Sequence, residues 1–160
     1  MSDYGYPHSA GAAHWHQDAQ QHIAAGQWEE ALTLWVQQAS PRALSLWLIR
    51  ILRGSAQPAA ASLLDEMQRW YAEPDEKLRW QIFHHADTLG FETPAGALAL
   101  SLFWSQGSMS PEGLEPVYPQ PHLSPEMRRC VLLMLAAGDP ETPAEGTRQL
   151  LTQWIHQEKA

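Results

Sequence analysis

The sequence predicts an all-α protein, a single-domain bundle of about seven or eight short helices with a proline-rich extended strap. Three observations carry that expectation. No stretch alternates polar and apolar residues over a strand's length, whereas apolar residues recur three and four apart along most of the chain. Prolines stand where helices would begin: behind a Ser or Thr cap at Ser40-Pro41, Thr93-Pro94, Ser124-Pro125 and Thr142-Pro143, and also at Pro58 and Pro74. Glycines stand where helices would stop, at Gly26, Gly54, Gly90 and Gly138. A chain of 160 residues is long enough to bury a core without staples, and one helical domain over residues 13–157 follows a loose tail at 1–12.

The first helical pattern starts at Ala13, with Trp15, Ala19 and Ile23 spaced four apart. Gly26-Gln27-Trp28 opens a second helix, whose apolar positions are Trp28, Ala31, Leu32, Trp35 and Val36. The third turns Leu44, Trp47, Leu48, Ile51 and Leu52 inward from Pro41 to Gly54. Pro58 starts a fourth, carrying Leu63, Leu64, Met67, Trp70 and Tyr71. Pro74 starts a fifth, in which Leu78, Ile82, Ala86 and Leu89 form one stripe. From Ala95 to Trp104 only Gly96 and Ser101 interrupt an apolar run, so this helix belongs inside the bundle, with Leu98, Leu102 and Phe103 buried. At this length it cannot span a bilayer. Pro111, Pro116, Pro119, Pro121 and Pro125 then forbid helix and make the strap, with Leu114, Val117, Tyr118 and Leu123 between them. A seventh helix begins at Ser124-Pro125, with Val131 to Ala137 as its buried body. The capping-box signature Thr142-Pro143-Ala144-Glu145 leads a last one through Leu150, Leu151, Trp154 and Ile155.

Composition narrows the function classes. A formal charge of −8 argues against nucleic acid, whose binding needs clustered Lys and Arg. Eight tryptophans, more than the phenylalanines and tyrosines combined, suit cores and protein interfaces equally. One cysteine, Cys130, leaves no intramolecular disulfide and reads as a small buried hydrophobe. The N-terminal stretch shows neither the basic nor the apolar region of a signal peptide, so a cytoplasmic location is expected, without membrane insertion.

Few constellations suggest chemistry. His14, Asp18 and His22 share a helix face, but consecutive four-residue steps stretch over about 12 Å, too far for one ion. No metal and no cofactor is therefore expected. Arg42, Arg50 and Arg53 cluster on one side of the third helix, a solvated face by default and an anion or acidic-partner site as the minority reading. Arg128 and Arg129 follow a helix start, where the helix dipole disfavours cations; an acidic group nearby, internal or external, would offset this. Trp80, His84 and Asp87 fall opposite the apolar stripe of their helix, as a second packing surface or a partner site, with packing favoured. No phosphate-cradling loop, nucleophile elbow or framed carboxylate pair occurs, so no enzyme is expected.

Two resemblances add to this. Gly26, Trp28, Ala31, Leu32 and Pro41 match the small, aromatic, small, apolar and proline positions of half a tetratricopeptide repeat, over residues 24–41. The match does not recur one period later, so it implies a helical hairpin and no solenoid. The longer resemblance covers roughly Ala31 to Trp154. It rests on Leu44-Ser45-Leu46-Trp47, Trp70 with Glu73-Pro74, Gly90-Phe91-Glu92-Thr93-Pro94-Ala95, Phe103-Trp104-Ser105-Gln106-Gly107-Ser108-Met109, the strap, and Pro121-His122-Leu123-Ser124. These resemble an uncharacterised family of bacterial helical proteins often encoded near type VI secretion genes. The resemblance implies a non-catalytic adaptor or co-chaperone, accessory to effector loading, whose partner is an effector or an effector chaperone. The alternative is an immunity-type inhibitor of a toxin, and the minor one an enzyme with an unrecognised site. Along a polyproline-like strap, side chains spread around the axis, so at least one of Leu114, Val117 and Tyr118 should stay exposed. A partner surface is expected where Trp104, Leu114 and Tyr118 meet, joined by Trp80 and His84.

Overall fold

The computed structural model describes residues 7–55, 58–138 and 142–159, with side chains from His14 onward. Eight α-helices and one 3-10 turn follow one another in the order α1 (Pro7–Ala24), α2 (Trp28–Gln38), α3 (Pro41–Arg53), the turn Pro58–Ala60, α4 (Ala61–Ala72), α5 (Glu76–Leu89), α6 (Pro94–Ser105), α7 (Leu123–Ala137) and α8 (Pro143–Lys159). No strand occurs among the described residues. The all-α class read from the sequence is the class of the structure. Helix α1 starts at Pro7, ahead of the periodic signal at Ala13, and residues 1–6 of the expected tail lie outside the described residues.

The chain divides into two compact units. In the first, α1 packs on α2, and both pack on α8, with the C-terminal part of α7. Its core holds Trp15, Ala19, Leu32, Trp35, Leu132, Ala136, Leu151 and Trp154. The rings of Trp35 and Trp154 lie 6.1 Å apart. His16 Nε2 and Glu158 Oε1, 2.8 Å apart, tie the middle of α1 to the end of α8. Gly146 is why α7 and α8 can approach so closely: a Cβ there would lie 2.3 Å from the Ala136 carbonyl oxygen.

The second unit holds α3 to α6, the strap and the first turns of α7. Helix α6 is its axis, packed by α3, α4 and α5. Every residue from Ala95 to Phe103 is buried, as a helix without a polar face requires, and Leu98, Leu102 and Phe103 are at most 2 % exposed. Its start is fixed by Thr93, whose hydroxyl accepts from the Gly96 amide (3.1 Å) and donates to the Gly90 carbonyl (2.7 Å). Gly90 has φ +116° and Gly96 leaves no room for a Cβ, which would sit 1.9 Å from the Gly90 oxygen. Both glycines are therefore required by one tight α5–α6 corner.

Several details differ from the sequence reading. Helix α5 is capped by Asp75, which accepts from the Leu78 amide at 3.0 Å, so Pro74 precedes the cap. In α3, Ile49 is buried and Ile51 only half-buried. Helix α7 starts at Leu123, two residues before Pro125, which puts Ser124 in its first turn, buried, instead of at the cap. The body of α7 buries Val131, Leu132 and Ala136, but Ala137 is exposed. Cys130 is half-buried, not buried; burial first, and Glu126 second, push its thiol up. At α8, Thr142 Oγ1 accepts from the Glu145 amide at 3.1 Å. The Glu145 carboxylate does not complete the capping box but accepts from Arg148 and Gln149.

Candidate functional site

Between α6 and α7 the prolines keep residues 106–122 out of helix. The segment first folds back on itself. A turn from Pro111 to Leu114 (3.2 Å) uses Gly113 at φ +93°, and the Met109 amide donates to the Val117 carbonyl at 2.7 Å. Ser108 Oγ closes the neck by accepting from the amides of Ser110 and Val117, both at 2.9 Å. Residues 115–120 then run without helix or turn. This backbone holds its apolar side chains outward: Leu114 is 66 %, Val117 50 % and Tyr118 68 % exposed, all three and not merely one.

A buried arginine holds the near end of the segment. Arg79, from α5, is 1 % exposed. Its Nε and Nη2 donate to the Phe103 carbonyl (3.1 and 2.8 Å), Nη2 also reaches the Ser108 carbonyl (2.9 Å), and Nη1 pairs with Glu76 (2.9 Å). Its guanidinium lies 4.0 Å over the Phe103 ring. Gly107, at φ +90°, admits it, since a Cβ there would come 2.8 Å from Cζ. Arg79 thus caps the C-terminal end of α6, where carbonyls lack helical partners, and pins the strap to it.

A second buried arginine is used differently. Arg128, from α7, is 4 % exposed and lines two adjoining depressions, of 470 and 250 Å³. The larger is walled by Trp104, Ser105, Gln106, Tyr118, Pro119 and Pro121; the smaller by Arg42, Trp70, Tyr71 and Pro74. Pro41, Ser105 and Gln106 border both. Arg128 Nη1 donates to Ser124 Oγ at 2.9 Å, and Ser124 donates onward to the Ser101 carbonyl at 2.6 Å. Its Nε has no hydrogen-bond partner. The acidic group that its helix position called for is not found: among the described residues no carboxylate forms an ion pair with it, and a hydroxyl serves instead.

Burial pushes the Arg128 pKa down, with the Tyr71 hydroxyl opposing. Burial likewise pushes Tyr71 up, against Ser45, Arg128 and Arg42. Ser45 Oγ makes no bond of hydrogen-bond geometry, so its effect on Tyr71 is that of a nearby dipole. Arg42 reaches the Tyr71 carbonyl at 3.4 Å, a long contact that leaves it at the surface.

The five residues expected to form one partner surface fall in three places. Trp104 and Tyr118 share the Arg128 cleft. Leu114 sits at the strap's turn, outside the cleft lining. Trp80 is half-buried, its ring 4.8 Å from that of Phe103 and its indole N–H donating to Glu76 at 2.9 Å. His84 is exposed, 6.0 Å from the Trp80 ring. The sequence pattern marks Arg128 only as misplaced in the helix dipole and does not single out Arg79. A signal existed for both: Arg128 precedes buried Val131 and Leu132 by three and four residues, and Arg79 precedes buried Ile82 by three. Among the described residues no three His, Cys, Asp or Glu side chains group as metal ligands would. His14 and Asp18 are exposed, and His22 Nδ1 lies 2.9 Å from Gln27 Oε1. No described helix is long and apolar enough to cross a membrane.

An all-helical protein with an outward-facing apolar strap beside an arginine-floored cleft is the class these features define. The chain belongs to a family of unknown function, DUF6931, whose match covers residues 19–156. No curated protein and no solved structure matches it.

Proposed function

We propose that this chain is a non-catalytic protein-binding module, an adaptor or co-chaperone accessory to the loading of a type VI secretion effector. The observation that supports it is the strap. Three large apolar side chains are half to two-thirds exposed on a backbone already tied by Ser108, Met109 and Arg79. A segment ordered in advance loses little entropy on docking, and exposed apolar area is what a partner gains by covering. The link to secretion comes from the sequence resemblance, and a cytoplasmic place of action from the character of the N-terminal stretch. An immunity-type inhibitor is the second reading, favoured by the charge of −8, which suits occlusion of a basic active site.

The tagged protein, purified from its own host, should carry a stoichiometric protein partner identifiable by mass spectrometry. Leu114→Ser combined with Val117→Ser should weaken that complex at least tenfold while leaving the helical circular dichroism unchanged. A folded double variant that binds as well as wild type removes the strap from the interface. Deleting the gene separates the two roles: loss of effector export marks an adaptor, and self-intoxication marks an inhibitor.

A further inference from the structure

We propose that the Arg128 cleft receives a carboxylate carried on an extended peptide segment of a protein partner; this rests on the protein-binding reading above. Arg79 and Arg128 lie in the same unit and are almost equally buried, so each serves as the measure of the other. Arg79 spends its donors on two carbonyls and a carboxylate, and its face on a phenylalanine ring. Arg128 makes one hydrogen bond, to a neutral hydroxyl, and keeps Nε unpartnered. A guanidinium stays charged in a protein, so its desolvation is uncompensated until an anion arrives. With Nη1 held by Ser124, the arginine is oriented in advance, and its planar fork matches a carboxylate better than a point charge would.

The walls say what carries the anion. No Asp or Glu lines either depression, and Arg42 adds a second positive charge, in a chain whose net charge is −8. That balance repels a polyanion as a whole yet admits one local negative group. A free inorganic anion would use the arginine alone. The rest of the cleft, Trp104, Tyr118, Trp70 and the proline rings, offers apolar surface, and Ser105 and Gln106 offer hydrogen bonds at an exposed rim. Combined in one concavity, these fit a short peptide with a carboxylate beside an apolar side chain. Tyr118 belongs both to the cleft and to the exposed strap, so the two surfaces adjoin.

The test is selection of random twelve-residue peptides displayed on their own messenger RNA against the full chain, followed by calorimetry. Enriched peptides should share an Asp, a Glu or a free C-terminal carboxylate next to an apolar residue. Neutralising that group, by amide or by Asp→Asn or Glu→Gln, should weaken binding at least tenfold. Arg128→Gln should do the same, and Arg128→Lys nearly so, because the fork is lost. Should either fail to fold, neutralisation on the peptide side and Tyr118→Ala, at an exposed residue, still decide; the latter should weaken binding several-fold. The proposal is overturned if no peptide is enriched, if neutralised peptides bind as well, or if inorganic phosphate binds at Arg128 where peptides do not. It is also overturned if the cleft proves occupied by a second copy, seen as a concentration-dependent dimer that Arg128→Gln abolishes. A host partner that binds Arg128→Gln as tightly as wild type defeats this inference and leaves the adaptor reading standing.

Discussion

Replacing Arg79 by methionine tests whether a buried cation really holds the strap to α6. Methionine keeps most of the volume and the contact with Phe103, so the change isolates the hydrogen bonds. Two acceptors lose their donors: the Phe103 carbonyl, which takes Nε and Nη2, and the Ser108 carbonyl. The Phe103 oxygen lies in the last turn of α6, where no amide of the helix can replace the arginine. Counted per acceptor left without its charged donor, the cost is about 1.5–3 kcal/mol, so the gross loss over the two carbonyls is about 3–6 kcal/mol. The Glu76 contact adds little, since that carboxylate is 61 % exposed. Relief of the arginine's own desolvation returns about 1–2 kcal/mol. A net destabilisation of about 1–5 kcal/mol follows. Urea unfolding followed by tryptophan fluorescence should show it as a lower midpoint with an unchanged slope. Limited digestion with a Glu-specific protease should cut after Glu112, whose next residue is Gly113, well before the variant unfolds. A variant within about 1 kcal/mol of wild type, with an uncut strap, would show that the arginine network is dispensable and that the prolines alone shape this segment.

Three further outcomes are expected. Leu102→Ala, at a residue with no exposed surface, should cost about 2–5 kcal/mol by urea unfolding, and a loss below about 1 kcal/mol would contradict the burial of α6. Gly146→Ala should lower the melting temperature even though alanine favours helix by about 1 kcal/mol, because the new methyl would meet the Ala136 carbonyl; a higher melting temperature would mean that α7 and α8 can part without cost. The Arg148 guanidinium, with Gln149, holds the Glu145 carboxyl down at about 2. Its folded pKa lies below its unfolded value near 4.5, so the stabilisation is present above pH 4.5 and is lost as pH falls towards 2. Wild type and Glu145→Gln should therefore differ in melting temperature at pH 6 and converge near pH 2, and a difference that persists there would assign the effect to something other than this carboxylate.

Helix existence was legible because its causes are local. Proline at a first turn, Ser or Thr before it and glycine after the last turn act within a few residues, and Thr93-Pro94 does in the structure what its chemistry dictates. The burial of α6 was legible for the same reason, since a helix without a polar face has one place to go. The exact starts of α5 and α7 were not, because Asp75 competes with Pro74 as the boundary, and Ser124 is drawn into α7 by the Ser101 carbonyl of a distant turn.

What only the tertiary structure decided is how the two buried arginines are used. The helical wheel places Arg79 within about 20° of Ala86, yet a lone arginine among apolar residues on a wheel can snorkel to water or turn inward. It turns inward because the end of α6 offers it an orphan carbonyl and Gly107 leaves space, two facts contributed by residues more than twenty positions away. The cleft likewise gathers Pro41, Tyr71, Trp104, Tyr118 and Arg128, whose separations along the chain carry no periodic signal. Local propensity determines which segments are helical; the orientation and partners of a buried cation depend on the acceptors and the space supplied by whatever packs against it.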